Sequence, residues 1–227
     1  GNGIHDSGEP GLAGVTLTLS NNDGSLGSTV TDANGLSTFD DLLAGQYTVA
    51  VDPASLPADV RQTYDLDGLS TPDRATAALA QAEDRTDVDF GYQPLGSIGD
   101  TVWHDSNANN VQEGNEQGLV GVTVVLTRAD GVRSFAQTDS NGRYAFTSLP
   151  PGAYTVAVNP ATLPEGYLPT YDLDGVTTRN TTTVPLAAWQ NRTDVDFGYR
   201  EPPLSIDDEA PSAPRGTVAV FLPLVTR

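Results

Sequence analysis

An internal repeat with an offset of 107 residues constrains this chain more than any other feature of its sequence. TYDLDG at residues 63–68 recurs at 170–175, and RTDVDFGY at 85–92 recurs at 192–199. The two copies align without a gap over nearly their whole length. Self-similarity at a fixed period is typical of tandem structural units. The sequence therefore predicts two copies of one module.

The repeat divides the chain into four predicted parts. The first module lacks its first strand and the second is complete; a proline-rich acidic linker and a short apolar strand follow. In chain order these parts are residues 1–95, 96–200, 201–215 and 216–227. Modules of about 100 residues are long enough to bury a hydrophobic core of their own.

Within a module the residues follow a β-strand pattern. GVTVVL (121–126) and AYTVAV (153–158) are rich in β-branched residues, which strands favour. Asn141 and Gly142 lie between two such runs and predict a tight hairpin turn, because both residues tolerate positive φ. About seven short strands in about 100 residues predict an all-β, immunoglobulin-like sandwich. The fold class expected is two tandem β-sandwiches plus an extended C-terminal strand.

The composition excludes several classes of function. A formal net charge of −19 argues against nucleic acid or anionic lipid as a partner. Cysteine is absent, which excludes disulfides and thiolate catalysis. All 11 basic residues are arginine, which excludes lysine crosslinks and Schiff bases. The longest apolar run, residues 218–225, is too short for a membrane span. The surplus carboxylates either form a solvated acidic surface or face bound cations.

The segment that follows the strand-like run at residues 98–104 has the spacing of a calcium loop. Side-chain oxygens fall at positions 1, 3, 5, 9 and 12, and position 7 offers its backbone carbonyl, as in a loop of the EF-hand type. Asn110 replaces the usual glycine at position 6 and also adopts the left-handed conformation readily. A polar loop without an ion is the alternative. The predicted Ca²⁺ ligands are Asp105, Asn107, Asn109, Val111, Glu113 and Glu116.

The first module keeps only the second half of this loop. Positions 1 and 3 would precede residue 1. This half-loop predicts weak calcium binding unless another segment supplies the missing ligands. Its residues at positions 5, 7, 9 and 12 are Asn2, Ile4, Asp6 and Glu9.

A second acidic group occurs in both modules. The DLD and DVD triplets carry pairs of aspartates that alternation would place on one face of a strand, where like charges are costly without a cation. Two interpretations stay open: solvent-facing residues of exposed strands, or a further calcium cluster. The residues are Asp172, Asp174, Asp194 and Asp196, with their copies Asp65, Asp67, Asp87 and Asp89.

The order of these motifs resembles that of a known family. The runs at residues 98–126, 138–156 and 193–199 follow one another as in the B repeats of SdrD-type bacterial surface adhesins. The resemblance covers the second module and all but the start of the first. It implies a prealbumin-like (Cna-B-like) sandwich stabilised by Ca²⁺, an extracellular or cell-surface location, and a role as a stiff spacer.

Catalysis is not expected. Paired carboxylates would suit a glycosidase, but their duplication favours a structural unit. Neither His5 nor His104 has a matched nucleophile, and the chain contains no GxSxG motif. The main alternative to a stalk is an adhesin that binds a protein or glycan ligand through these modules. Asn180 and Asn191 begin glycosylation sequons, a weak signal in a Thr-rich segment.

The C-terminal segment is apolar on both faces, and such a strand left exposed would promote aggregation. It is expected to dock on its own modules or on a neighbour, and a sorting or anchoring signal is the rival explanation. The first module lacks a counterpart of residues 98–105, so a neighbour's tail could add there as a strand and give head-to-tail self-association. Alternatively, residue 1 is only where the given chain begins. The predicted assembly strand contains Val218, Val220, Phe221, Leu222 and Leu224.

Overall fold

A computed structural model describes residues 2–4 and 6–203, and their regular structure is almost entirely β-strand. The predicted all-β fold class is confirmed. The predicted assembly strand and most of the predicted linker lie outside the described residues. The strands are β1 (Thr16–Asn21), β2 (Gly24–Val30), β3 (Gly45–Val51), β4 (Val60–Asp65), β5 (Arg74–Leu79), β6 (Phe90–Pro94), β7 (Gly96–His104), β8 (Thr123–Arg128), β9 (Arg133–Gln137), β10 (Arg143–Leu149), β11 (Gly152–Val158), β12 (Leu168–Tyr171), β13 (Thr181–Leu186), β14 (Asn191–Arg192) and β15 (Phe197–Arg200).

One four-stranded antiparallel sheet is repeated in both modules. Its order is β2-β1-β3-β5 in the first module and β9-β8-β11-β13 in the second. Alternate residues of each strand face the core, such as Leu17 and Leu19 in β1 and Val124 and Leu126 in β8. This alternation is the strand pattern that the sequence showed.

The second sheet of module two is built around β7. This strand pairs antiparallel with β10 and parallel with β14 and β15, and β12 pairs with the far side of β15. Ile98, Val102 and Trp103 of β7 are at most 1% exposed. Packing of this sheet against the four-stranded sheet buries a core of 17 hydrophobic residues.

The second sheet of module one is smaller. Among the described residues it consists of β4 and β6 alone, and residues 36–42, which correspond to β10, form no strand. The physical reason is that no described segment takes the place of β7, the strand to which β10 is hydrogen-bonded. The buried core of module one contains six hydrophobic residues, and Phe90 and Tyr92 are only partly buried. Their counterparts Phe197 and Tyr199 are at most 1% exposed.

The predicted Asn141–Gly142 turn forms, but it does not close a hairpin. It joins β9 and β10, which lie in different sheets. The carboxylate of Asp139 accepts hydrogen bonds from the backbone N–H groups of Asn141 and Arg143. Of the two turn residues only Gly142 has positive φ, at 76°, and a Cβ there would lie 2.4 Å from the carbonyl oxygen of Val102. The hairpin prediction was wrong because β9 finds its partner in β8 and the chain then crosses to the other sheet.

In the part of the chain that the structure describes, no helix has the length and hydropathy needed to cross a membrane.

Candidate metal centre

The predicted calcium loop begins at the end of a buried strand. Asp105 directly follows β7, is 0% exposed, and donates its backbone N–H to the carbonyl oxygen of Tyr199 at 2.7 Å. Just before it, His104 donates its N–H to the carbonyl oxygen of Gln117 at 2.8 Å. The loop therefore leaves the core at Asp105 and returns to the same strand end after Glu116.

The Asp105 carboxylate organises the first half of the loop. One of its oxygens accepts the N–H of Asn109 at 3.1 Å and the other accepts that of Asn110 at 3.0 Å. The backbone curls tightly here because Ala108 and Asn110 have φ values of 57° and 66°. The prediction that Asn110 takes the left-handed conformation is confirmed.

The two glutamates hold the second half. Glu113 accepts hydrogen bonds from the side-chain amides of Asn107 and Asn109, at 2.9 and 2.7 Å. Glu116 bridges the two ends of the loop, since one of its oxygens accepts the N–H of Ser106 at 2.8 Å and the other that of Glu113 at 3.2 Å. The sequence reasoning did not single out Ser106, whose hydroxyl also contacts Glu116.

The structure thus gathers five predicted side-chain ligands into one hydrogen-bonded network. Val111 lies in the same loop, and its N–H binds the side-chain oxygen of Asn109 at 2.8 Å. In residues 2–4 and 6–203 the ion pairs formed by arginine are with Asp87, Asp130 and Asp194, so no arginine pairs with the loop carboxylates. Over the same residues no three His, Cys, Asp or Glu side chains gather closely enough to hold a metal by themselves. A cation here would need the amide and carbonyl oxygens as well.

The half-loop of module one repeats the second half of this geometry. Asn2 donates its side-chain amide to Asp6 at 2.8 Å and accepts the N–H of Ile4 at 3.0 Å. Asp6 donates its N–H to the Glu9 carboxylate at 3.0 Å. Gly3, at position 6, has a φ of 76°. The half-loop therefore has the same pattern of local hydrogen bonds as residues 109–116 of module two.

The predicted second cluster is divided between separate places. Asp172 and Asp174 lie in the turn after β12, where Asp172 is 3% exposed and neither of its carboxylate oxygens meets a donor with hydrogen-bond geometry. Burial, reinforced by the neighbouring Asp174 carboxylate, raises the pKa of Asp172 to about 6. Asp174 itself accepts the N–H of Thr183 at 3.1 Å.

The DVD aspartates have other partners. Asp194 pairs with Arg192 at 2.7 Å, and this hydrogen bond lowers the pKa of Asp194. Asp196 accepts the N–H of Thr101 at 2.9 Å, and burial raises its pKa to about 6. A calcium cluster of all four carboxylates was one of the two interpretations left open, and within residues 2–4 and 6–203 no three acidic side chains gather closely enough to hold a metal ion by themselves. Asp172 and Asp174 lie in a turn and not in a strand, and Asp194 forms an ion pair with Arg192.

The copies in module one follow the same division. Asp65 is 4% exposed with one carboxylate oxygen unpartnered, and Asp67 accepts the N–H of Thr76 at 2.9 Å. Asp87 pairs with Arg85 at 2.7 Å, which lowers the pKa of Asp87. Asp89 is exposed. The donor that its counterpart Asp196 uses lies on β7, and no described segment of module one supplies an equivalent strand.

Comparison with known proteins gives a family match over both modules. The sequence model of the SdrD B-like domain matches residues 1–92 and 96–199. Serine-aspartate repeat-containing protein D of Staphylococcus aureus (strain Newman) is 33% identical over 216 residues, which cover 91% of this chain and 16% of that protein. Serine-aspartate repeat-containing protein E of the same species (strain MSSA476) is 40% identical over 162 residues, which cover 68% of this chain and 14% of that protein. The chain thus spans about a sixth or less of the length of these relatives.

Two solved structures match this chain weakly. GBS52, the minor pilin of Streptococcus agalactiae, has 16% identity and a TM-score of 0.38, and the match covers 93% of this chain and 91% of that one. The Bacillus anthracis TIE protein has 17% identity and a TM-score of 0.39, and the match covers 86% of this chain and 32% of that one. With TM-scores below 0.5, neither match supports a conclusion about this chain. The family match and the curated relatives confirm the resemblance first indicated by the motifs, and the chain belongs to the SdrD B-like domain family.

Proposed function

We propose that the chain is an extracellular structural segment, a stalk or fibre subunit at the cell surface, stabilised by calcium. The observation that carries the proposal is the loop at residues 105–116. It holds three carboxylates and two amides in one network, and no arginine among the described residues pairs with its carboxylates. Oxygen ligands of this kind and spacing suit Ca²⁺.

The proposed ion has a defined structural role. It would be held by the predicted loop ligands, and it would replace the amide donors of Asn107 and Asn109 as the partner of Glu113. Because Asp105 directly follows β7 and Glu116 binds Ser106, the ion would fix the end of the strand on which the second sheet is built. Calcium would therefore stabilise module two as a whole.

The test is a melting curve of the full chain in calcium, in magnesium and in chelator. A ligand that binds only the native state at about 100 times its Kd adds about 2.7 kcal/mol. For a domain of about 100 residues this raises Tm by roughly 10 °C or more. Magnesium should give a smaller shift, since it prefers octahedral, water-rich sites. An unchanged Tm in chelator would show that the loop takes no stabilising ion.

The turns at Asp172–Asp174 and Asp65–Asp67 are proposed as second, weaker calcium positions. Both carboxyl oxygens of the buried Asp172 and one of the buried Asp65 have no hydrogen-bond donor, which is costly for a charged group, and a cation would offset that cost. The proposal is restricted to these two turns, because Asp194 and Asp87 are already paired with arginines.

Strand addition is proposed as the route of self-association. The support is the two-stranded second sheet of module one, beside which Phe90 and Tyr92 stay partly exposed. The proposed occupant is the segment at residues 216–227 of a neighbouring molecule, which would give head-to-tail assembly. Light scattering after size exclusion tests this proposal. The full chain should form multimers and residues 1–215 should be monomeric, whereas equal masses would show that the tail does not mediate assembly.

No catalytic role is proposed, because the candidate acid groups are duplicated structural features of both modules. The adhesin alternative predicts a saturable protein or glycan ligand. A glycan array and a pull-down with the folded chain separate the two functions, since a stalk predicts no specific binding.

A further inference from the structure

One turn of module two carries a tryptophan that the turn itself does not require. Trp189 is 48% exposed and has a φ of 53°. Its counterpart in module one, Ala82, has a φ of 57° in the same kind of turn. Both turns are closed alike, with the N–H of Ala187 bound to the side chain of Gln190 at 2.8 Å and that of Ala80 to Glu83 at 2.6 Å. Because alanine is sufficient there and a bulky residue in this conformation is uncommon, the indole needs another explanation.

The indole reaches the other module. Its Nε1–H donates to the carbonyl oxygen of Ala58 at 3.3 Å, across 131 residues of sequence. Ala58 lies in the turn that precedes β4 of module one. Trp189 is thus a side chain of one module that binds the backbone of the other.

The connection between the modules is short and is held on both sides. Leu95 is the one residue between β6 and β7, and its N–H donates to the carbonyl oxygen of Asp59 at 2.7 Å. Two residues later, the N–H of Ser97 binds the carbonyl oxygen of Gln190 at 3.0 Å. The connector, residues 95–97, therefore binds Asp59 of module one and Gln190 of module two, which directly follow Ala58 and Trp189.

Close packing supports this arrangement. A Cβ on Gly96 would lie 2.2 Å from the carbonyl oxygen of Gln190, so a larger residue would push the turn of Trp189 away from the connector. Arg61 of module one is close enough to Tyr154 of module two to act on it electrostatically, although burial is the main cause that raises the pKa of that tyrosine.

Within the described residues, the far end of module two lacks the hydrogen bond that Leu95 makes at the junction. The residue equivalent to Leu95 is Pro202, which has no N–H to donate. Gly166 takes the place of Asp59, and Pro202 packs against it, since a Cβ on Gly166 would lie 3.1 Å from the proline ring. The hydrogen bond between Leu95 and Asp59 at the junction therefore has no equivalent between Pro202 and Gly166.

We propose that the turn at Ala58–Asp59 is a docking surface for module two, and that Trp189, together with the Leu95 amide, holds the two modules in one fixed orientation. This inference deepens the proposed stalk role and rests on it, because a stalk of several modules stays extended only if the joints between them are stiff. Trp189 acts here as a positioning residue between modules. It takes no part in the calcium loop.

The test measures residual dipolar couplings of the full chain, with the alignment of each module fitted separately. The native chain should give one common alignment tensor. Trp189→Ala should give module one and module two different tensors, with the alignment magnitude of one reduced at least twofold. The variant should still fold, because Ala82 makes the same turn, and module two amide chemical shifts far from the junction confirm it. Phe135→Ala, at an aromatic residue of module two that is 67% exposed, is the matched control and should leave a common tensor.

Trp189→Phe removes the donor and keeps an aromatic ring. It should also separate the tensors, and a common tensor in this variant would overturn the role of the hydrogen bond. A common tensor in Trp189→Ala would overturn the proposal as a whole. The same couplings, recorded in calcium and in chelator, distinguish failure of this inference from failure of the calcium proposal. If the couplings do not change between calcium and chelator but both modules still share one tensor, the calcium role is contradicted and the junction proposal stands.

Discussion

Asp105 is a fully buried carboxylate at the boundary between a strand and a loop. Its two oxygens accept hydrogen bonds from the backbone N–H groups of Asn109 and Asn110, so the carboxylate is tied to the first half of the loop. Among the proposed Ca²⁺ ligands, Asp105 is the carboxylate that is 0% exposed.

Asp105→Asn should weaken calcium binding about tenfold or more, because a site's calcium affinity depends on the charge of its ligands. Isothermal titration of the full chain measures the change, and the calcium-dependent part of Tm should shrink with it. Asp130→Asn removes the same charge from an exposed turn, where Asp130 pairs with Arg128, and should leave the affinity unchanged. Equal affinities for Asp105→Asn and the native chain would place the ion elsewhere.

Asp172 should make module two less stable as pH rises. Its folded pKa of about 6 lies above the ordinary value of 3.8, so the native state binds the proton more tightly than the unfolded state. Its contribution to stability is fully present below pH 3.8 and is lost as pH rises through 6. Asp196, with a pKa of about 6, contributes in the same direction.

Asp172→Asn should remove this loss. In chelator, Tm of the variant relative to the native chain should increase between pH 4 and pH 7, because the buried charge no longer forms. The comparison is made as a difference, since carboxylates with lowered pKa, such as Asp139 and Asp194, make stability rise with pH in both proteins. A constant difference in Tm across this range would contradict the raised pKa.

Strand β7 explains most of the contrast between the two modules. It lies between β10 and β15, and its residues Ile98 and Val102 belong to the same buried cluster as Phe197 and Tyr199. In module one, where no described segment takes that place, the equivalent aromatic residues are only partly buried. One strand therefore decides whether the second sheet closes the core.

Phe197→Ala should destabilise module two by about 3–5 kcal/mol, the range for removing a fully buried aromatic residue. Phe90→Ala, the same change in module one, should cost only about 1–2 kcal/mol because much less apolar surface is lost. Chemical denaturation followed by module-specific NMR signals measures both values. If molecules assemble by strand addition, the loss of stability caused by Phe90→Ala should be larger at concentrations where multimers form. Equal losses for the two variants in the monomer would mean that the core of module one is already covered by its own second sheet.

The two modules together should not unfold as one cooperative unit. Module one has six buried core residues and module two has 17, so module one should have the lower Tm. Calorimetry of the full chain should show two transitions, and calcium should raise mainly the upper one, since the complete loop belongs to module two. A single transition that calcium shifts to higher temperature would contradict this. It would show that the junction at Trp189 makes the two modules unfold together despite their different cores.

The sequence by itself determined the repeat, the all-β class and the local conformation of the loop at residues 105–116. These features follow from neighbouring residues: strand alternation buries every second side chain, and the loop is closed by hydrogen bonds within twelve residues, so Asn110 could be assigned its left-handed conformation before any contact was known. Only the tertiary structure decided that the Asn141–Gly142 turn joins two sheets, that Arg192 takes Asp194 out of the acidic cluster while Asp172 stays buried, and that Trp189 binds the other module. These outcomes depend on which distant segments pack together, and a residue's spacing along the chain does not specify its partner across the core.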